Sequence, residues 1–189
     1  SALDNLEPLQ RYFDVKRRSL KLDKMHMYDI PLDMATSTKE YSIEDAHKII
    51  KAAIAPLGEK YLNCYEKIIK NRYIDYCQYQ GKCSGGYSLS TLDHDSRILM
   101  SFNYDLESVS TIAHEAGHNV HHQLVAESNS IIYRQVPIIV AEVASLTNEC
   151  LLSSYLSSEK FDLETRKAGI SNFLNVFVSN FYGAIREGK

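Results

Sequence analysis

Ala113-His114-Glu115-Ala116-Gly117-His118 is the stretch on which the reading of this chain turns. It reads as part of a helix that Asp105 can cap and that runs to about Ala126. His114 and His118 are four apart, so on a helix they lie one turn apart on the same face. There they can hold one zinc, with Glu115 placed to take a proton from a water on the metal. Chance alone would produce the pattern in a chain of this length on the order of one time in a hundred. The competing reading is a surface helix that happens to carry histidines.

Two histidines do not complete a catalytic zinc site, which keeps three protein ligands and one open position. A further His ten residues after the first would serve, but position 124 is Leu124. The other common solution is a glutamate on a following helix. Glu142 lies among apolar and small residues in Ala141-Glu142-Val143-Ala144-Ser145, where a carboxylate is costly unless paired or metal-bound. We therefore expect Glu142 as the third ligand. Glu149 is two helical turns further along the same face and is expected to orient a ligating His. His121 shares the face of His114 and His118 and is a candidate to line the cleft or hydrogen-bond a substrate. His122 points elsewhere and reads as solvated. Gly117 permits close approach of another backbone, at about 1 kcal/mol in helix propensity relative to Ala. His94, between Asp93 and Asp95, reads as polar loop.

Working outward, residues 4–20 read as a helix on Leu6, Leu9, Phe13 and Leu20. Residues 21–41 look irregular. Ser42 with Asp45 is an N-terminal cap signal for a helix carrying Ala46, Ile49, Ile50, Ala53 and Ile54. Pro56 and Gly58 should end it, and a second helix carries Tyr61, Leu62, Tyr65, Ile68 and Ile69. Tyr87–Ser90 and Arg97–Asn103 read as two short strands of a hairpin joined across residues 91–96. The second of them, just before the metal helix, is a candidate edge strand to pair with an extended peptide. Pro137 suits the first turn of a helix over about 137–156. A last helix shows a stripe of Ile170, Phe173, Leu174, Phe177, Val178, Phe181 and Ile185, expected to be core. The fold class is mainly α with a small antiparallel sheet beside the helix bearing the motif.

Composition agrees with an ordinary globular protein: 189 residues, 44% hydrophobic and 24% charged. The length suggests one domain, taken as 1–189 without a separate second domain. Net charge is -3 with no basic block, which points away from nucleic acid and anionic membrane as partners. The four cysteines form no CxxC, and no signal peptide or long apolar run is visible, so the expected location is cytoplasmic. The implied mechanism also needs a donor for the oxyanion, usually Tyr or His, and none of the 13 Tyr stands out.

The chain resembles oligoendopeptidase F, of the thimet-oligopeptidase-like M3 zinc metallopeptidases. The resemblance rests on His26-Met27-Tyr28-Asp29, on Ala55-Pro56-Leu57-Gly58-Glu59-Lys60-Tyr61 and on Gly81-Lys82-Cys83-Ser84-Gly85-Gly86-Tyr87-Ser88. It continues through Ala113–His118 and closes with Ala141–Ser145 and Asn148-Glu149. It implies a helical zincin-like catalytic core, one zinc per chain held by His114, His118 and Glu142, and Glu115 as general base. It also implies oligopeptide substrates, and His121 matches a histidine often carried at that offset. Family chains are about three times longer, so the chain corresponds to a middle, zinc-binding portion of a larger peptidase. Surfaces that the rest of such a chain would cover offer a route to self-association. Two other functions fit the same residues: a zinc carboxypeptidase on a related helical fold, and a zinc-binding but inactive fragment or interaction module.

Overall fold

The computed structural model describes residues 5–90 and 95–183; His94, the central part of the hairpin connection and Ile185 lie outside the described residues. The chain is 62% helical with one three-stranded sheet, as expected for a mainly α fold. It packs as two compact units, Thr38–Tyr155 and Ser1–Ser37 with Leu156–Lys189. No described helix is long and apolar enough to cross a membrane.

In the first unit, helix α2 (Ile43–Ile54) starts where the sequence says it should. The Ser42 side chain accepts from the Asp45 amide, satisfying one free donor of the first turn. A single 3-10 turn at Ala55–Leu57 and Gly58, at φ +90°, separate it from α3 (Glu59–Lys70). Helix α4 (Leu106–Ser128) is capped by Asp105, which accepts from Ser108 at 2.8 Å, and Glu107 sits favourably at the positive end of the helix dipole. Helix α5 spans Ile138–Leu156, directly after Pro137. Ile50, Ile54, Tyr65, Ile68, Ile98, Val109, Ile112 and Leu152 are fully buried and form the core that α4 crosses.

Three strands make the sheet: β1 (Ile74–Asp75), β2 (Gly86–Leu89) and β3 (Arg97–Met100), in the order β1-β3-β2. The predicted hairpin is β2–β3, antiparallel with Tyr87 opposite Leu99. β1 joins β3 in parallel and makes the sheet mixed. This corrects the reading of the strand after Arg97 as an edge: β3 is central, and the edge nearest the motif belongs to β2. Ile98 and Met100 turn inward, while Tyr87 and Leu89 are exposed. Gly86 is required where β2 lies on α4, because a Cβ there would meet the Thr111 side chain at 2.7 Å and the Glu115 side chain at 3.2 Å.

The other unit contains α1 (Glu7–Ser19), a 3-10 turn at Met27–Asp29, α6 (Leu163–Phe177) and a π turn at Val178–Gly183. Lys16 is buried, its ammonium donating to the Ile30 carbonyl at 2.5 Å. Tyr12 donates to Asn175, which donates in turn to Asp33. The apolar stripe of α6 is not core as expected. Ile170, Phe173, Phe177 and Phe181 are between 42% and 54% exposed. Helical periodicity identifies an apolar face but not what covers it.

Two features carry measurable consequences. His47 is buried with its two ring nitrogens each 2.6 Å from a tyrosine hydroxyl, Tyr65 and Tyr76, which ties α2 to α3 and to the residue after β1. Neutral imidazole gives one N–H and accepts one O–H, so it satisfies both. Burial outweighs the charge of Glu44 and pulls the His47 pKa down to about 4. The unfolded chain then binds a proton near pH 6.5 that the folded chain refuses, so stability falls as pH drops from about 6.5 to 4. The expected loss is on the order of 3 kcal/mol, read by urea unfolding at pH 7 and pH 4.5, and His47→Phe should flatten that slope. The second feature is Gly117, where a Cβ would lie 2.6 Å from the Ser145 Cα and 2.8 Å from the Ala144 oxygen. Propensity alone favours Ala by about 1 kcal/mol, but here α5 must move. Gly117→Ala should destabilise by about 1–3 kcal/mol and lower the Tm in thermal unfolding; a raised Tm would contradict the tight crossing.

Candidate metal centre

The close crossing at Gly117 puts the acids of α5 against the histidines of α4. His114 Nε2 and His118 Nε2 are 3.1 Å apart. The Glu142 carboxylate lies 3.5 Å from the first and 3.7 Å from the second. One donor atom from each residue fits within 4.8 Å of the others, so the three could hold one metal ion. Tetrahedral zinc with ligands about 2.0–2.1 Å away has ligand–ligand edges of about 3.4 Å. The nitrogens are 3.1 Å apart and the two Glu142 oxygens lie 3.5 Å from His114 and 3.7 Å from His118, separations near that edge, so two imidazoles and a carboxylate suit zinc in chemistry and in approximate size.

The surroundings orient each of the three candidate donors. Glu149 accepts a hydrogen bond from His114 Nδ1, which leaves Nε2 facing the other donors. Burial opposes a charge on His114, but the Glu149 carboxylate outweighs it and raises its pKa. His118 hydrogen-bonds the Ala141 backbone, while burial and the neighbouring His114 pull its pKa down. Ser145 donates to Glu142 at 2.9 Å and so fixes one carboxylate oxygen. Asn148, fully buried, donates to the Ala113 carbonyl at 2.9 Å and accepts from Tyr61, pinning α5 to α4 beside the ligands.

Glu115 sits under β2 and is only 7% exposed. Burial raises its pKa, opposed by the charge of His114 and by a hydrogen bond from the Ser88 amide. Its carboxylate is thus held by the strand on one side and neighbours the metal donors on the other.

The structure sorts the two following histidines differently from helical periodicity. His121 borders a pocket of about 380 Å³ with Tyr61, Val143 and Ala144, separate from the cleft that His118 lines. His122, read as solvated, is half-buried and lines a cleft of about 710 Å³ together with His118, Ser88 and Ala141. The missed signal was in Gly117: a helix crossing there divides the face that His114, His118 and His121 share. Tyr61, its pKa pushed up to about 12 by burial, faces the smaller pocket. Among the described residues, no tyrosine lines the larger cleft.

Comparison with known proteins identifies the family. The sequence pattern of Peptidase family M3 matches residues 3–185. Oligopeptidase PepF of Bacillus subtilis (strain 168) is 33% identical over 175 residues, 92% of this chain and 26% of that protein. An oligoendopeptidase F homolog of Lactococcus lactis subsp. lactis (strain IL1403) is 30% identical over 92% of this chain and 29% of its own. A crystal structure of a presumed peptidase from Chlamydophila abortus superposes with TM-score 0.83 at 28% identity, over 96% of this chain and 31% of that one. A presumed oligoendopeptidase F from Bacillus anthracis str. Ames shares the fold, with TM-score 0.67 at 16% identity over 90% of this chain and 33% of that one. The chain spans about a quarter to a third of the length of the curated relatives it matches. With one continuous match from residue 3 to residue 185 and a His-His-Glu cluster at its centre, the chain belongs to peptidase family M3.

Proposed function

We propose that these residues form the zinc centre of an oligoendopeptidase, one that hydrolyses internal bonds of short peptides. The observation that carries this is the triangle of His114, His118 and Glu142 donors with the buried carboxylate of Glu115 next to it. His114 and His118 would hold the metal through Nε2 and Glu142 through its carboxylate, leaving one position open. Bound zinc supplies a Lewis acid that polarises the scissile carbonyl and makes water nucleophilic near neutral pH.

The chain's own residues do the rest. Glu115 takes the proton of the attacking water and passes it to the leaving amine. Its raised pKa, caused first by burial, makes it a stronger base once ionised, and the Ser88 amide keeps it aimed. Glu149 holds His114 in the tautomer that leaves Nε2 as a ligand. β2 ends the sheet, and although its Ser88 amide is taken by Glu115, its remaining outward backbone groups can pair with an extended peptide through main-chain hydrogen bonds that do not depend on sequence. An endopeptidase reading also accords with relatives named oligoendopeptidase F.

The purified chain should bind one zinc, and His118→Ala should lose it, measured as metal content after dialysis. Stoichiometric zinc in the variant would remove His118 from the site. Glu115→Gln should keep the zinc and reduce cleavage of a mixed peptide pool at least 100-fold, read by mass spectrometry. Internal cleavage undiminished in that variant would contradict the role of Glu115, and release of single C-terminal residues would make the enzyme a carboxypeptidase.

A further inference from the structure

The larger cleft runs from His118 past the next turns of α4 to His122 and Ala126, with Ser88 and Ser90 on one wall. We propose that His122 is a specificity-determining residue of this cleft, donating from Nε2 to the side-chain carbonyl of a neutral carboxamide, so that Gln or Asn is preferred at that substrate position. The inference rests on the peptidase reading above.

The ring itself supplies the argument. His122 Nδ1 is buried with no hydrogen-bond partner. A proton there would be an unmade buried donor, which costs more than an unused lone pair. The proton therefore sits on Nε2, on the ring edge left to face the cleft. Burial and the neighbouring His121 and His118 also hold its pKa down, so the ring is neutral with one N–H to give.

The other polar groups of the cleft select what that N–H can meet. Gln123 is spent on the Cys64 carbonyl and on Asn119. The Ser96 hydroxyl donates to Leu89, and Arg134 donates to the Ala126 and Asn129 carbonyls at the end of α4. Asp95 also faces the cleft, kept ionised by a hydrogen bond from Tyr73 and the nearby charge of Lys67. A substrate carboxylate would meet both Arg134 and the Lys67-paired Asp95 and gain no net attraction, and an ammonium would set a donor against the His122 N–H. A carboxamide matches both, offering its carbonyl to His122 and its N–H groups to an acceptor such as Asp95.

The test uses internally quenched peptides differing only by Gln, Glu or Leu at each position around the cleaved bond. At one position the zinc-loaded chain should favour Gln over Leu by roughly 10-fold in kcat/KM. His122→Phe should erase that ratio, and His122→Gln, which puts an amide N–H near the place of Nε2, should restore it. A ratio is unaffected by partial loss of folded protein. The same peptides are titrated calorimetrically into zinc-loaded Glu115→Gln with and without His122→Phe, where the Gln preference in Kd should be lost in the double variant. An unchanged Gln-to-Leu ratio in His122→Phe, or Glu preferred over Gln, overturns the inference. Binding with a His122-dependent preference but no cleavage by the native chain would refute the peptidase and keep the subsite. Cleavage without that preference does the reverse, and neither binding nor cleavage removes both.

Discussion

Everything at the centre depends on one contact: the passage of the α5 backbone over Gly117 of α4. A Cβ at 117 would come within 3 Å of three backbone atoms of Ala144 and Ser145, so no other residue lets the helices meet so closely. Glu142 and Glu149 are seven residues apart, two turns on one face of α5, and the crossing lays both against His114. One reaches the Nε2 side of that ring and the other the Nδ1 side. The buried Asn148, bonded to the Ala113 carbonyl, sets the register of the crossing between the two acids.

The sheet plays the complementary part. β2 rests on α4 through Gly86, and its Ser88 amide reaches Glu115. The nearly buried Glu115 carboxylate is thereby held by the backbone of the strand that ends the sheet. In the proposed peptidase, the strength of the base and its direction both follow from that one strand position. The second unit contributes a hydrogen-bonded cluster of Tyr12, Lys16, Asn175 and Asp33 and an exposed aromatic stripe on α6.

Helix caps were the most legible part of the sequence, because Ser42, Asp105 and Pro137 act on their own neighbours and need no tertiary context. The spacing of His114, His118, Glu142 and Glu149 was legible for a similar reason: helical geometry fixes which residues share a face. What failed depended on distant packing. The two residues of β1 carry no alternation to read, and a hairpin pattern does not say on which side a third strand joins, so β3 was taken for the edge. The α6 stripe announces an apolar face and nothing about its cover. His122 proved half-buried in a cleft rather than solvated, because periodicity describes one helix and not the elements packed beside it.

The central claim is that two imidazoles and one carboxylate of α4 and α5 form a single zinc site. Zinc K-edge X-ray absorption on the metal-loaded chain tests it most directly. The account predicts a four-coordinate shell of two histidine nitrogens and light oxygen donors at about 2.0–2.1 Å, with the imidazole scattering diminished in His118→Ala. A shell containing sulfur at about 2.3 Å, or one unchanged by His118→Ala, would place the metal elsewhere and contradict it.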